Sequence, residues 1–221
     1  MATFQARIED KIGDIPLLGG DSDDSQQAIT DALTDSASEI LDIISEEYLW
    51  ASVAVTSDAT SNPITSADQE NIKILDVSRK NSDDIHGEYV SCKYVSPLLL
   101  SQVQNPESIH YPSKESPVWT WKDRRINVFP APAANNQAKS VHVYYPSSIS
   151  YGATAVTNFP NELEHVLVLG ACVKLKQRQV SFYNEDEDGE LSQMHQSQYA
   201  DIVQLYSNAI KPFLAVPPAE E

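Results

Sequence analysis

The apolar residues of this 221-residue chain change their spacing twice. Near both ends they recur every three or four positions, and between the ends they fall into short β-type runs broken by Ser, Asn, Asp and Pro clusters. An amphipathic helix has to bury its stripe against another element. Helices far apart in sequence must therefore meet, with the β-type stretch inserted between them. The predicted fold class is α+β: a small helical bundle, built from an N-terminal helix and a C-terminal helical hairpin, with an inserted antiparallel β region. The predicted organisation is 1–50 for the N-terminal helical part, 51–157 for the insertion, 158–211 for the hairpin and 212–221 for an extended tail.

The clearest helix carries Ile29, Leu33, Ala37, Ile40 and Ile44 on one stripe, widened by Leu41 and Ile43, with Asp24 or Ser25 as its cap. A shorter one precedes it, with Phe4, Ile8, Ile12 and Ile15 on one face and Pro16 with Gly19-Gly20 as its stop. In the middle, strands are predicted at Ala51–Thr56, Ile72–Ser78, Glu88–Ser96, Val118–Trp121, Arg125–Phe129 and Ser140–Tyr145. The run from Trp119 to Phe129 reads as a hairpin turning at Asp123-Arg124, and Pro97–Val103 as a short helix. In the last third, Pro160 and a cap at Asn158 or Asn161 introduce Leu163, Val166, Leu167, Gly170, Val173 and Val180. After Gly189 a second face carries Tyr199, Ile202, Val203, Tyr206, Ile210 and Phe213. Two long helices joined by a short polar turn make an antiparallel hairpin.

Charge is segregated along the same divisions. The formal net charge is −17. From Ile12 to Ile72 there are thirteen acids and no Lys, Arg or His; from Lys73 to Ser181 twelve bases outnumber nine acids; from Phe182 onward eight acids face one base. So acidic a total argues against gripping nucleic-acid backbones, a task for Lys and Arg. Opposite the apolar stripe of the long helix, Asp31, Asp35, Glu39 (or Ser38), Asp42 and Glu46 recur every three or four residues. Such a ridge is either a solvated face or a surface that meets a basic partner or repels polyanions.

The motif search excludes large enzyme groups. None of the seven glycines builds a dinucleotide fingerprint, a phosphate loop or a nucleophile elbow. Cys92 and Cys172 are too few for a disulfide scaffold or a paired metal motif, and read as buried free thiols. The five histidines, His86, His110, His142, His165 and His195, show no metal spacing. Asn184-x-Asp186-x-Asp188-Gly189 imitates the start of an EF-hand loop, but His195 stands where the bidentate Glu is required, so a plain acidic turn is expected. No cofactor, metal or catalytic residue is expected. The charged opening residues carry no apolar secretory core, and no apolar run is long enough to span a membrane.

Several stretches together resemble a known group. The opening MATFQARIEDKIGDIP with the helix QQAITDALTDSASEILDII is similar to the start of tailed-phage virion proteins. Ile126-Asn-Val-Phe-Pro-Ala-Pro132, VHVYYPS and FPNELEHVLVLGACVKLKQRQ resemble the later part of head-to-tail adaptor (connector or neck) proteins of tailed bacteriophages. The resemblance covers most of the chain in layout and is strongest in 1–45 and 125–180. It implies a structural, non-enzymatic virion protein assembled in the host cytoplasm. Such a protein forms a ring of about a dozen copies that docks on the portal, contacts tail or nozzle proteins and extends the DNA channel without specific DNA binding.

On that basis Asp31, Asp35, Asp42 and Glu46 are expected to face the channel or the next subunit. Phe213, Leu214 and Val216 are candidate portal contacts, and Arg124 and Arg125 a partner-contact hairpin. The alternative is a β-rich attachment or receptor- or fibre-binding module of a virion, which would gather exposed aromatics such as Trp119 and Trp121 at one loop end.

Overall fold

The computed structural model describes residues 2–13, 22–50, 54–55, 58–64, 71–82, 87–157, 159–185 and 189–214. The chain divides into two compact units, one made of residues 1–52 with 145–221 and the other of residues 53–144. The first is helical and the second holds the sheets, giving an α+β protein.

In the helical unit, α1 (Phe4–Ile12) begins at Thr3, whose hydroxyl accepts from the Ala6 amide at 3.3 Å. It ends at Gly13, not at Pro16 as the sequence suggests: Gly13 has φ 75°, a value glycine adopts freely, and its amide donates to the Glu9 carbonyl at 2.9 Å. Phe4, Ile8 and Ile12 are buried, as the spacing predicts, and Ile15 lies outside the described residues. α2 (Ser22–Ile43) buries Ile29, Leu33, Ala37, Ile40 and Leu41. Asp24 and Ser25 fall inside its first turns and not at its cap. Ile43 is 45% exposed while Ile44 is buried, because the helix stops there and the backbone turns into the short α3 (Glu46–Leu49).

α5 (Glu164–Glu185) is the axis of this unit. Sequence spacing assigns it one buried face, yet Val166 through Cys172 are buried without a break. The cause is that α1, α2 and α6 (Gly189–Ile210) all pack on it. A helix surrounded on several sides loses its polar face. A Cβ at Gly170 would lie 3.2 Å from Ser36 of α2 and 3.3 Å from the Tyr206 ring of α6, so the missing side chain lets two neighbours approach. The helix opens through a 3₁₀ turn at Asn161–Leu163 with Pro160 just before it, one position earlier than a first-turn proline. Residues 145–157, read by sequence as part of the insertion, pack with the helices. Phe4 and Gln5 amides donate to the carbonyls of Ala153 and Tyr151, and the Ile149 amide to the Thr34 hydroxyl.

The second unit has one sheet in the order β1 (Ala54–Val55), β7 (Ala138–Tyr144), β2 (Ile72–Lys80), β3 (Tyr89–Ser91). The other runs β4 (Lys93–Tyr94), β5 (Val118–Lys122), β6 (Arg125–Phe129), with α4 (Leu100–Gln104) and a preceding 3₁₀ turn between β4 and β5. The predicted strand 88–96 is thus divided at buried Cys92 between two sheets. β4 runs parallel to β5, so the insertion is mixed, not purely antiparallel. Ile64, Val77, Ile126, Val128 and Ala138 form its core, with Trp119 and Trp121 packed against it.

Candidate functional site

α2 positions the acidic ridge. Its apolar stripe faces α5, which leaves Asp31, Asp35, Glu39 and Asp42 exposed on the remaining surface. Glu46 is also exposed but belongs to α3, beyond the turn at Ile44–Ser45, so the ridge is interrupted before it. Within the protomer, Glu39 pairs with Lys174 at 2.6 Å and Asp31 accepts from the Gln27 amide at 2.7 Å. Asp42 accepts from the Tyr145 hydroxyl, and burial followed by that carboxylate pushes the phenol pKa upward. An exposed pair such as Glu39–Lys174 contributes at most about 1 kcal/mol.

The C-terminal candidates lie beside the α2–α3 junction. Residues Lys211–Phe213 form a 3₁₀ turn, the Phe213 carbonyl accepts from the Ser45 amide at 2.9 Å, and Ile44 and Leu214 form a β-bridge. The Phe213 ring meets Tyr48 edge-on at 5.0 Å. Leu214 is 38% exposed, and Ile43 and Trp50 are exposed on the same junction. The aromatic half of the candidate contact is therefore a structural anchor and Leu214 is its open half. Val216 lies outside the described residues.

The hairpin tip is where the sequence puts it. Asp123 and Arg124 have φ of 53° and 60° in the two-residue turn between β5 and β6, the pattern of a type I′ turn built without glycine. Arg124 and Arg125 are exposed. Lys122, Arg125 and Gln104 help to line a cleft of about 370 Å³ beside the tip. The outer edge of β6 is closed by Asn62, whose side-chain amide exchanges two hydrogen bonds with the Val128 backbone in place of a neighbouring strand. Trp119 and Trp121 are half-buried against the core and do not form an exposed platform. Among the described residues, the exposed large apolar side chains of this unit are instead Tyr94, Leu98, Leu99, Ile109, Tyr111 and Tyr144.

One group of polar residues escaped sequence reasoning. Between α5 and α6, the Lys176 ammonium, 2% exposed, donates to the Gln198 carbonyl at 2.9 Å and to His195 Nδ1 at 3.3 Å. Because an ammonium can only donate, Nδ1 accepts and the neutral ring carries its proton on Nε2. His195 also stacks on Tyr183, with ring centroids 4.7 Å apart. Burial lowers the Lys176 pKa. Burial, and secondarily the Lys176 charge, lowers that of His195. Gln179 is buried on the same helix with both amide atoms unpartnered among the described residues. The available signal was spacing: Lys176, Gln179 and Tyr183 repeat at helical intervals, as do Ser192, His195 and Tyr199.

Chemistry is scarce elsewhere. Burial raises the thiols of Cys92 and Cys172 to about 12, which removes them as nucleophiles at neutral pH. Among the described residues no group of three His, Cys, Asp or Glu side chains is placed to hold a metal ion. Asp186 and Asp188 of the acidic turn lie outside those residues. No helix among them is long and apolar enough to cross a membrane. In comparisons with known proteins, residues 1–212 match the family described as SU10 adaptor protein. No curated protein matches the chain.

Proposed function

The chain belongs to the SU10 adaptor protein family, a family of phage adaptors, and from that premise we propose that it is the subunit of a head-to-tail adaptor ring. In this reading about a dozen copies dock on the portal and carry the DNA channel on toward tail or nozzle proteins. The observation that carries the reading is the family match over residues 1–212. The acidic character of the helical unit, with six Lys and Arg against 22 Asp and Glu, supports it. Negative side chains repeated around a channel raise the energy of close phosphate contact, so DNA passes without sticking. An adaptor of this kind performs no reaction and holds no cofactor, and its place is the virion. Leu214 at the open side of the C-terminal anchor, with Val216 beyond it, is the portal contact. Arg124 and Arg125 offer charge to an acidic neighbour.

The test is cosedimentation of the purified full chain with portal rings, together with mass spectrometry of purified particles. The expected result is binding, presence in particles, and loss of binding when residues 212–221 are removed while the helical circular-dichroism signal is retained. A chain that neither binds portal nor occurs in particles overturns the reading.

A further inference from the structure

Among the described residues, the helical unit carries a cleft lined by two lysines. The cleft, of about 420 Å³, opens between the end of α1 and the α5–α6 pair, with Lys11, Lys176, Gln198, Asp201 and Leu205 among its lining. Lys11 stands at the rim, its side chain 44% exposed and its ammonium 3.6 Å from the Asp10 carboxylate, and Lys176 forms the buried floor. Two of the three Lys176 donors are used by Gln198 and His195. Among the described residues no carboxylate lies within ion-pair distance of it, and the only acid lining the cleft is Asp201. A buried ammonium with neutral partners alone keeps most of its desolvation cost, and an incoming carboxylate removes part of that cost.

We propose that this cleft receives the acidic α2 ridge of a second copy of the chain, with Asp31 and Asp35 directed toward Lys11 and Lys176. The inference rests on the ring reading and specifies its subunit contact. The occupant is chosen by charge. The ridge is exposed and comes from a stretch of thirteen acids without a base; within its own protomer Glu39 pairs with Lys174, Asp31 accepts from the Gln27 side chain and Asp42 from the Tyr145 hydroxyl. Cleft and ridge are also different surfaces: the cleft lies where α1 and α6 meet α5, and the ridge is the exposed side of α2, whose Glu39 meets Lys174 of α5. Joining unlike surfaces makes a heterologous contact, which closes into a ring when the rotation between copies divides a full turn.

The experiment measures the mass of the full chain against concentration and salt, with circular dichroism to verify folding. Lys11→Glu, which alters a rim side chain, is expected to raise the concentration for half-assembly at least tenfold. Lys176→Met, which keeps the volume and removes the charge, is expected to keep the helical signal and weaken assembly. Combining Lys11→Glu with Asp31→Lys and Asp35→Lys is expected to restore most of it, because the charges are exchanged across the contact. If the wild type assembles and all variants assemble equally, or the exchange restores nothing, the cleft is not the contact while the ring stands. If the wild type stays monomeric with and without portal, the ring reading falls and the cleft proposal with it.

Discussion

The two units of this chain handle charge in opposite ways. The helical unit has six Lys and Arg against 22 Asp and Glu, whereas the sheet unit has nine against ten. One is therefore strongly repulsive to itself and to any polyanion, and the other is close to neutral. Their polar interiors differ as well. The sheet unit buries Arg79 with its guanidinium donating to the carbonyls of Lys80 and Ala131, a bond that ties a loop to a strand. The helical unit buries Lys176 against neutral side chains at the floor of an open cleft. Both cations have partners in their own unit, but Lys176 also lines a cleft and has a donor left for another molecule.

The cores give the largest contrast to test. Leu167 is fully buried on α5 and Ile126 fully buried on β6. Truncating either to alanine is expected to cost about 2–5 kcal/mol by chemical denaturation. If Leu167→Ala costs much less than Ile126→Ala, α5 is not the axis of the helical unit. Next in size is Gly170→Leu, expected to lose about 1–3 kcal/mol because Ser36 and Tyr206 already crowd that position. A neutral result would mean that α2 and α6 do not both close on α5 there.

Acid acts on both units through buried histidines. His142 is fully buried in β7, its Nδ1 3.2 Å from the Ser140 hydroxyl, and burial lowers its pKa below the ordinary 6.5. His195 is lowered in the same direction. For both, the unfolded chain takes up its proton near pH 6.5 while the folded chain still refuses it. This contribution is complete above about pH 6.5, is lost as pH falls from there toward the lower folded values, and levels off below them. His142→Phe is expected to flatten the loss between pH 7 and 5, read from denaturation midpoints, and His195→Phe to do the same for the helical unit. An unchanged profile in both would contradict the burial assignment.

The smallest effect belongs to the hairpin. Arg124→Gly is expected to stabilise the sheet unit by about 1 kcal/mol, since glycine adopts positive φ without the side-chain penalty that arginine carries. A loss of stability would mean that the Arg124 side chain contributes more to the fold than its backbone costs.

Legibility in the sequence followed the range of the interactions. The stripe from Ile29 to Ile40, the hairpin turn at Asp123-Arg124 and the paired helices of the C-terminal third are local patterns, and each reads directly from spacing. Division of residues 88–96 between two sheets and the parallel pairing of Lys93 with Val118 are long-range events that no window reveals. The burial of Val166–Cys172 on all sides likewise needed knowledge of three packing partners. At the candidate sites, exposure of the ridge and of Arg124 and Arg125 was legible because polar residues stood opposite apolar ones. Phe213 as an anchor on Tyr48, and Lys176 meeting His195, depend on tertiary pairing and were not.

The most direct measurement of the central claim is electron microscopy of the purified full chain, alone and after mixing with portal rings. The expected images are closed rings of one size, seated coaxially on the portal when it is present. Isolated monomers in both samples would contradict the account.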